Sequence, residues 1–448
     1  MITHLVFTAV AAWASLVHAA RLAPIEVRGT AFVAGGERFY IRGLDYQPGG
    51  SSSKIDPLSN PSVCRRDIER FVQLGINAIR VYMVDNSKKH DECMKLLDEA
   101  GIYLILDVNT PGYSINREQP KKSYNTKYLQ SVFSTVQKFA KYNNTLAFFS
   151  GNEVVNDDPG TEKSAPYVKA VTRDIKNYMR VQGLRAVPVG YSAADVSSNV
   201  MQQADYFNCG SDDMRADFFA FNDYSFCNSN FKGAGWDVKV KAFSDYGLPI
   251  FLSEFGCIRT RPRKFEEIKA MMSPEMTPVY SGGLLYEYSE ESNEYGIVKI
   301  KGENVETTTE FEAYSASLKS SPPPGNGGAS PTTHARTCPT RDEAWDVDPS
   351  LVPEMPSPAE KWMKSGITQG PGLRGFGSQE AADSGTATRS VTSGVPSPVG
   401  TTGGKGAAAA GAGEDEEDGA EAWVRPGMTA MAVTGLVVSL TLLGFAVY

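Results

Sequence analysis

Leu146-Ala147-Phe148-Phe149-Ser150-Gly151-Asn152-Glu153 and Ile250-Phe251-Leu252-Ser253-Glu254-Phe255-Gly256 share one plan: a short apolar run that meets a glutamate. Such a run reads as a strand buried on both faces. A carboxylate at its end is costly unless it is paired or functional. Six further stretches read as strands: Phe39–Tyr46, Ile76–Met83, Tyr103–Asn109, Ala186–Ser192, Phe218–Tyr224 and Ser281–Ser289. Amphipathic segments lie between them. In Arg65–Leu74, Ile68, Phe71 and Val72 recur at helical spacing, and Lys88–Ala100, Lys127–Tyr142, Tyr167–Val181 and Phe265–Met272 behave alike. Strands alternating with helices make a parallel sheet covered on both faces. Eight of them within residues 21–320 predict an α/β fold, a closed (β/α)₈ TIM barrel. A doubly wound open sheet is the alternative, but no glycine-rich phosphate loop follows the first strand.

In a (β/α)₈ barrel the reactive groups sit where strands end at the C-terminal face. Glu153 ends the fourth strand and Glu254 the seventh. Two carboxylates facing each other across a sugar-sized cleft are the equipment of glycoside cleavage. One protonates the departing oxygen, and the other attacks the anomeric carbon or activates water. The bland reading, in which each glutamate only pairs with a neighbouring cation, weakens when both stand at strand ends. The same edge collects Tyr82 with Asp85, Asp107 with Asn109, Tyr191, Tyr224, and Tyr286 with Tyr288. Tyrosine rings offer apolar faces to sugar C–H groups while their hydroxyls hydrogen-bond. Gln47, after the first strand, reads equally as a cleft residue or a turn residue.

The bulk features bound the rest. A formal net charge of −8 argues against a nucleic-acid partner. Residues 1–20 read as a signal peptide, with an apolar run from Leu5 to Val17 before Val17-His18-Ala19-Ala20; a buried N-terminal helix is the alternative. Met428–Tyr448 is uncharged and follows small residues and a polar spacer, the pattern of a GPI-anchor signal rather than of a retained membrane helix. From Ser320 the composition turns to Ser, Pro, Gly, Thr and Ala, which reads as a stalk. Exceptions are Cys338–Met363, which carries Trp345 and Trp362, and the acidic block Glu414–Asp418. Six cysteines suit a secreted protein with three disulfides in pairings that counting alone leaves open. Four histidines and no CxxC argue against a metal site, and no cofactor motif is present. Asn143-Asn144-Thr145 is a glycosylation sequon.

Five runs occurring in order resemble the fungal β-1,3-glucanosyltransferases, glycoside hydrolase family 72. They are Arg42-Gly43-Leu44-Asp45-Tyr46-Gln47-Pro48-Gly49-Gly50, Gly75 to Tyr82, Gly151-Asn152-Glu153, Ser253-Glu254-Phe255-Gly256, and Ser281-Gly282-Gly283-Leu284-Leu285-Tyr286-Glu287-Tyr288. The likeness continues weakly into Cys338-Pro339 and Lys361 to Gly366. It implies a GPI-anchored, monomeric wall enzyme at the outer face of the plasma membrane. That enzyme would cut a β-1,3-glucan donor internally and pass the new reducing end to a glucan acceptor. Glu153 would be the acid/base, Glu254 the nucleophile, and Asn152 the holder of the sugar 2-hydroxyl. Gln47, Tyr82, Tyr224 and Tyr286 would line the cleft. Implied disulfides are Cys64–Cys93, Cys227–Cys257 and Cys209–Cys338, the last tethering a post-barrel extension (residues 321–369) ahead of the stalk (370–427). No cysteines are left for a cysteine-rich carbohydrate-binding module. The sequence departs from the family's Tyr-Glu-Trp-Cys in Asn222-Asp223-Tyr224-Ser225-Phe226-Cys227. A β-1,3-glucan hydrolase and a glucan-binding wall protein without catalysis are the competing functions.

Overall fold

A computed structural model describes residues 21–374 together with 377 and 378. The segments read as signal peptide, most of the stalk, and the hydrophobic tail lie outside the described residues. Eight parallel strands close into a barrel: β1 (Ile41–Asp45), β2 (Ala78–Val81), β3 (Tyr103–Asp107), β4 (Thr145–Asn152), β5 (Val189–Ala194), β6 (Phe218–Asp223), β7 (Ile250–Phe255) and β8 (Tyr280–Leu285). A helix follows each strand, in order α1 (Pro61–Leu74), α2 (Asp91–Glu99), α3 (Thr126–Phe139), α4 (Ala165–Val181), α5 (Val200–Phe207), α6 (Trp236–Phe243), α7 (Glu267–Met271) and α8 (Thr309–Ser320). This is the expected (β/α)₈ architecture.

Helix α1 shows how local chemistry sets the ends. The Asn60 side chain accepts from the Ser62 amide, Pro61 opens the first turn, and Gly75 closes the helix at φ 81°. Ile68 and Phe71 turn inward as their spacing predicts, whereas Val72 stays 57% exposed. The apolar stripe is therefore narrower than the sequence suggests.

Two features were not legible in the strand pattern. Residues Ile25–Arg28, Ala31–Ala34 and Glu37–Phe39 form an antiparallel meander beneath the barrel. Its Phe32 ring meets Phe218 and Phe251 edge-on at 5.7 and 5.8 Å, and these with Phe149 fill the lower barrel interior. The second feature is the path of the extension. The chain carries the disulfides Cys64–Cys93, Cys227–Cys257 and Cys209–Cys338, the pairs that the resemblance implies. Past Cys338, Trp345 is buried against Tyr206, and the Met363 carbonyl accepts from Gln182, just past the end of α4. The chain then climbs to the catalytic face. There the Gly372 amide donates to Asn86 Oδ1, and the Ser378 amide donates to the Gly112 carbonyl.

The Cys209–Cys338 bond closes a separation of 129 residues. Replacing both cysteines by serine is expected to lower stability by roughly 2–5 kcal/mol, read as an earlier urea-unfolding midpoint; an unchanged midpoint refutes the tether.

Candidate active site

Strand phase decides which side chains enter the barrel. On β4 the register to β5 jumps between Phe149 and Gly151, leaving Ser150 as an extra residue. On β7 the register to β6 jumps between Leu252 and Glu254, with Ser253 extra. Each bulge shifts the alternation of faces. Phe149 and Phe251 point into the barrel below the bulges. Above them Asn152 pairs with Ser192, and Glu254 takes the inward position opposite Asn222. Glu153 follows the β4 bulge at φ 46°, a left-handed conformation that costs a residue with a Cβ about 1–3 kcal/mol. Its amide donates to the Ser192 carbonyl.

Arg80 of β2 lies at the bottom of the cleft, wholly buried, with its guanidinium 4.7 Å over the Phe149 ring and 4.3 Å over the Tyr82 ring. It donates twice to Asp107, at 2.9 and 3.2 Å, and once to Glu254 Oε1 at 3.2 Å. The Tyr82 hydroxyl donates to the same Glu254 oxygen at 2.7 Å, and the Tyr224 hydroxyl donates to Oε2 at 2.7 Å. Burial holds both phenols well above their ordinary pKa, so they remain donors. Among the described residues, Glu153 Oε1 accepts only from the Asn222 amide, at 2.7 Å, and its buried Oε2 takes no partner.

These donor sets separate the two carboxyls. Burial, then the like charge of Glu254, pushes Glu153 up to about 7. Burial raises Glu254 too, but a cation and two hydroxyls pull it back. The donor sets therefore favour the ionised form of Glu254 more than that of Glu153. Asp45, fully buried nearby, is driven well above the ordinary carboxylate range by burial, against the pull of Arg80.

The other sequence candidates sort by position. Tyr286 joins Tyr82, Tyr224 and Tyr295 in one edge-to-face cluster, with centroids 5.2 to 6.4 Å apart. Asn152 Oδ1 accepts from the Ser192 hydroxyl at 2.7 Å, which turns its amide group toward donation. Asp107 is committed to Arg80 rather than open to a ligand. Tyr191 is not brought into the cleft: its ring faces the helix layer, stacked 4.4 Å from Phe207, and its hydroxyl accepts from the Val155 amide. Asp85 is drawn into a turn, accepting from the Ser87 amide and hydroxyl beneath Gly372. Gln47 behaves as a turn residue, donating to the Ser53 and Ile55 carbonyls and accepting from the Met83 amide. Tyr288 faces outward and bonds Asp67.

Arg80, Asn222 and Tyr295 were missed. An arginine inside Ala78-Ile79-Arg80-Val81 was the available signal, since an unpaired charge does not belong in a buried strand. In the departing stretch, the Ser225 hydroxyl donates to Asp223, and Phe226 packs 4.9 Å from Trp236. Lys239 and Trp236 also hold Asp223, which fixes the backbone that presents Tyr224.

The family model described as glucanosyltransferase matches residues 14–322. The chain belongs to that family. It is 58% identical over 355 residues to 1,3-beta-glucanosyltransferase gel1 of Aspergillus fumigatus, covering 79% of this chain and 78% of that protein. It is 50% identical over 366 residues to 1,3-beta-glucanosyltransferase GAS5 of Saccharomyces cerevisiae, covering 80% and 75%. A solved structure of a Saccharomyces cerevisiae Gas2p mutant with laminaritetraose and laminaripentaose superposes with a TM-score of 0.69. Identity there is 36%, over 74% of this chain and 75% of that one.

Tyr82→Phe and Tyr224→Phe each remove a donor that favours ionised Glu254. The acid limb of the kcat/KM profile is expected to move up by about one pH unit in each; an unmoved limb refutes the role of the hydroxyls.

Proposed function

We propose that this enzyme cuts a β-1,3-glucan internally and transfers the new reducing end to the non-reducing end of a second glucan, lengthening it with retention of configuration. The observation that carries this reading is the unequal donor set: three donors including a guanidinium on Glu254, one amide on Glu153. Glu254 attacks the anomeric carbon while Glu153 protonates the departing glycosidic oxygen. The result is a glycosyl ester on Glu254 and a freed sugar hydroxyl. Glu153, now ionised, takes the proton of the acceptor hydroxyl as that oxygen closes on the anomeric carbon and releases the Glu254 carboxylate. The Asn152 amide, its oxygen engaged by Ser192, is set to donate to the sugar 2-hydroxyl. Tyr82, Tyr224, Tyr286 and Tyr295 offer aromatic faces to sugar rings on either side of the cut.

The proposal extends to location. Residues 1–20 act as a signal peptide. The tail Met428–Tyr448 is exchanged for a GPI anchor that holds the enzyme at the outer face of the plasma membrane and in the cell wall. Asn143, half-buried in the turn between α3 and β4, carries a glycan, and the enzyme acts as a monomer.

Incubation with reduced laminari-oligosaccharides is expected to give products longer than the donor. Only shorter products, with one new reducing end per cut, identify a hydrolase instead. Glu153→Gln and Glu254→Gln are each expected to lose at least about a thousandfold in kcat; activity near wild type points to a wall protein whose barrel only binds. Glu153 must hold a proton for the first step, so kcat/KM is expected to fall as pH rises through about 7. A flat profile from pH 6 to 8 contradicts the assignment.

A further inference from the structure

Arg117 belongs to neither glutamate-bearing strand. It comes from the long connection between β3 and α3, and its side chain is 4% exposed. Nη2 donates to the main-chain carbonyl of Glu153 at 2.5 Å, and Nη1 stands 3.5 Å from Asp158 Oδ2. The Ser164 hydroxyl, just ahead of α4, donates to the Arg117 carbonyl at 3.1 Å and fixes the loop from below. A guanidinium buried this far pays a desolvation cost that one exposed aspartate offsets only in part. What it touches at full hydrogen-bond strength is the peptide unit of the one left-handed residue among the two glutamates.

We propose that Arg117 is a positioning residue for the acid/base. By gripping the Glu153 carbonyl it locks the left-handed turn that aims the Glu153 carboxyl at the glycosidic oxygen, and its charge favours the carboxylate in the second, base half of the cycle. This inference rests on the reading of Glu153 as acid/base. Glu153 is faced by Glu254 from β7, Arg80 from β2, Asn222 from β6 and Arg117 from its loop, while Tyr191 of β5, outside the cleft, is coupled to it only through its charge. Removing the Arg117 charge leaves Arg80 alone to oppose Glu254, so Glu153 keeps its proton to higher pH. Removing Asp158, which partly neutralises Arg117, does the reverse.

The test uses the full chain with two donors: a reduced laminari-oligosaccharide, and a laminari-oligosaccharide bearing a dinitrophenyl leaving group, with and without azide. The dinitrophenolate leaves without a proton. Azide attacks the anomeric carbon of the glycosyl ester without a base, giving a glycosyl azide and free Glu254. Arg117→Met is expected to lose roughly tenfold to a hundredfold in kcat on the natural donor, with little change in KM. Its basic limb moves to higher pH, and the dinitrophenyl donor with azide recovers most of the loss. Arg117→Lys keeps the limb in place at an intermediate rate. Wild-type kcat in Arg117→Met, or an equal loss on both donors with the limb unmoved, overturns the proposal. Should Arg117→Met not fold, Asp158→Asn changes a side chain that is 65% exposed. It is expected to move the basic limb to lower pH, and an unmoved limb is then the overturning result. Glu153→Gln, run alongside, separates the two readings. If azide with the dinitrophenyl donor does not rescue it, the acid/base reading of Glu153 fails, whatever Arg117 does.

Discussion

Everything above the aromatic floor of the barrel is organised by the buried guanidinium of Arg80. A closed barrel excludes water, so a carboxylate inside it survives as an anion only beside a fixed positive charge. Arg80 meets Asp107 on one side and Glu254 on the other. Asp45 stands within the same field, and burial drives its carboxyl well above the ordinary carboxylate range. Removing one partner of such a buried pair leaves a stranded charge, at roughly 3–5 kcal/mol. The cation is thus a structural pin and, with the Tyr82 and Tyr224 hydroxyls, sets apart two glutamates of identical chemistry.

The second constraint is the phase of the two glutamate-bearing strands. Without an extra residue at Ser253, the inward position opposite Asn222 would fall to Ser253, and Glu254 would face the helices. Without one at Ser150, Asn152 would lose its inward place beside Ser192. Bulges concentrate beside active sites because they re-aim a side chain where regular pleating cannot.

This also explains which parts of the molecule could be read from the chain itself. The barrel was legible because eight apolar runs and the helical patterns between them repeat one motif, and Glu153 and Glu254 were legible as acids at the ends of such runs. Tyr191 points to the helix layer because inward and outward positions alternate along β5, and the apolar run does not say which phase faces the barrel interior. Asp85 and Gln47 look like ligands in one dimension, but turn geometry and the returning extension occupy their polar atoms. The N-terminal meander left no periodic trace, its strands being three or four residues long. Arg117 sits in a loop without pattern, and only the fold brings it to Glu153.

The path of the extension makes the tail a graded mechanical coupling. Tension entering at Ser378 meets single hydrogen bonds first, to Gly112 and Asn125, then to Asn86, and further down the tie between Met363 and Gln182. The covalent stop comes only at Cys338, whose partner Cys209 lies beyond α5, away from β4 and β7. A pull along the chain therefore meets the β3–α3 and β2–α2 connections of the catalytic face first, and the disulfide at the barrel's side wall last.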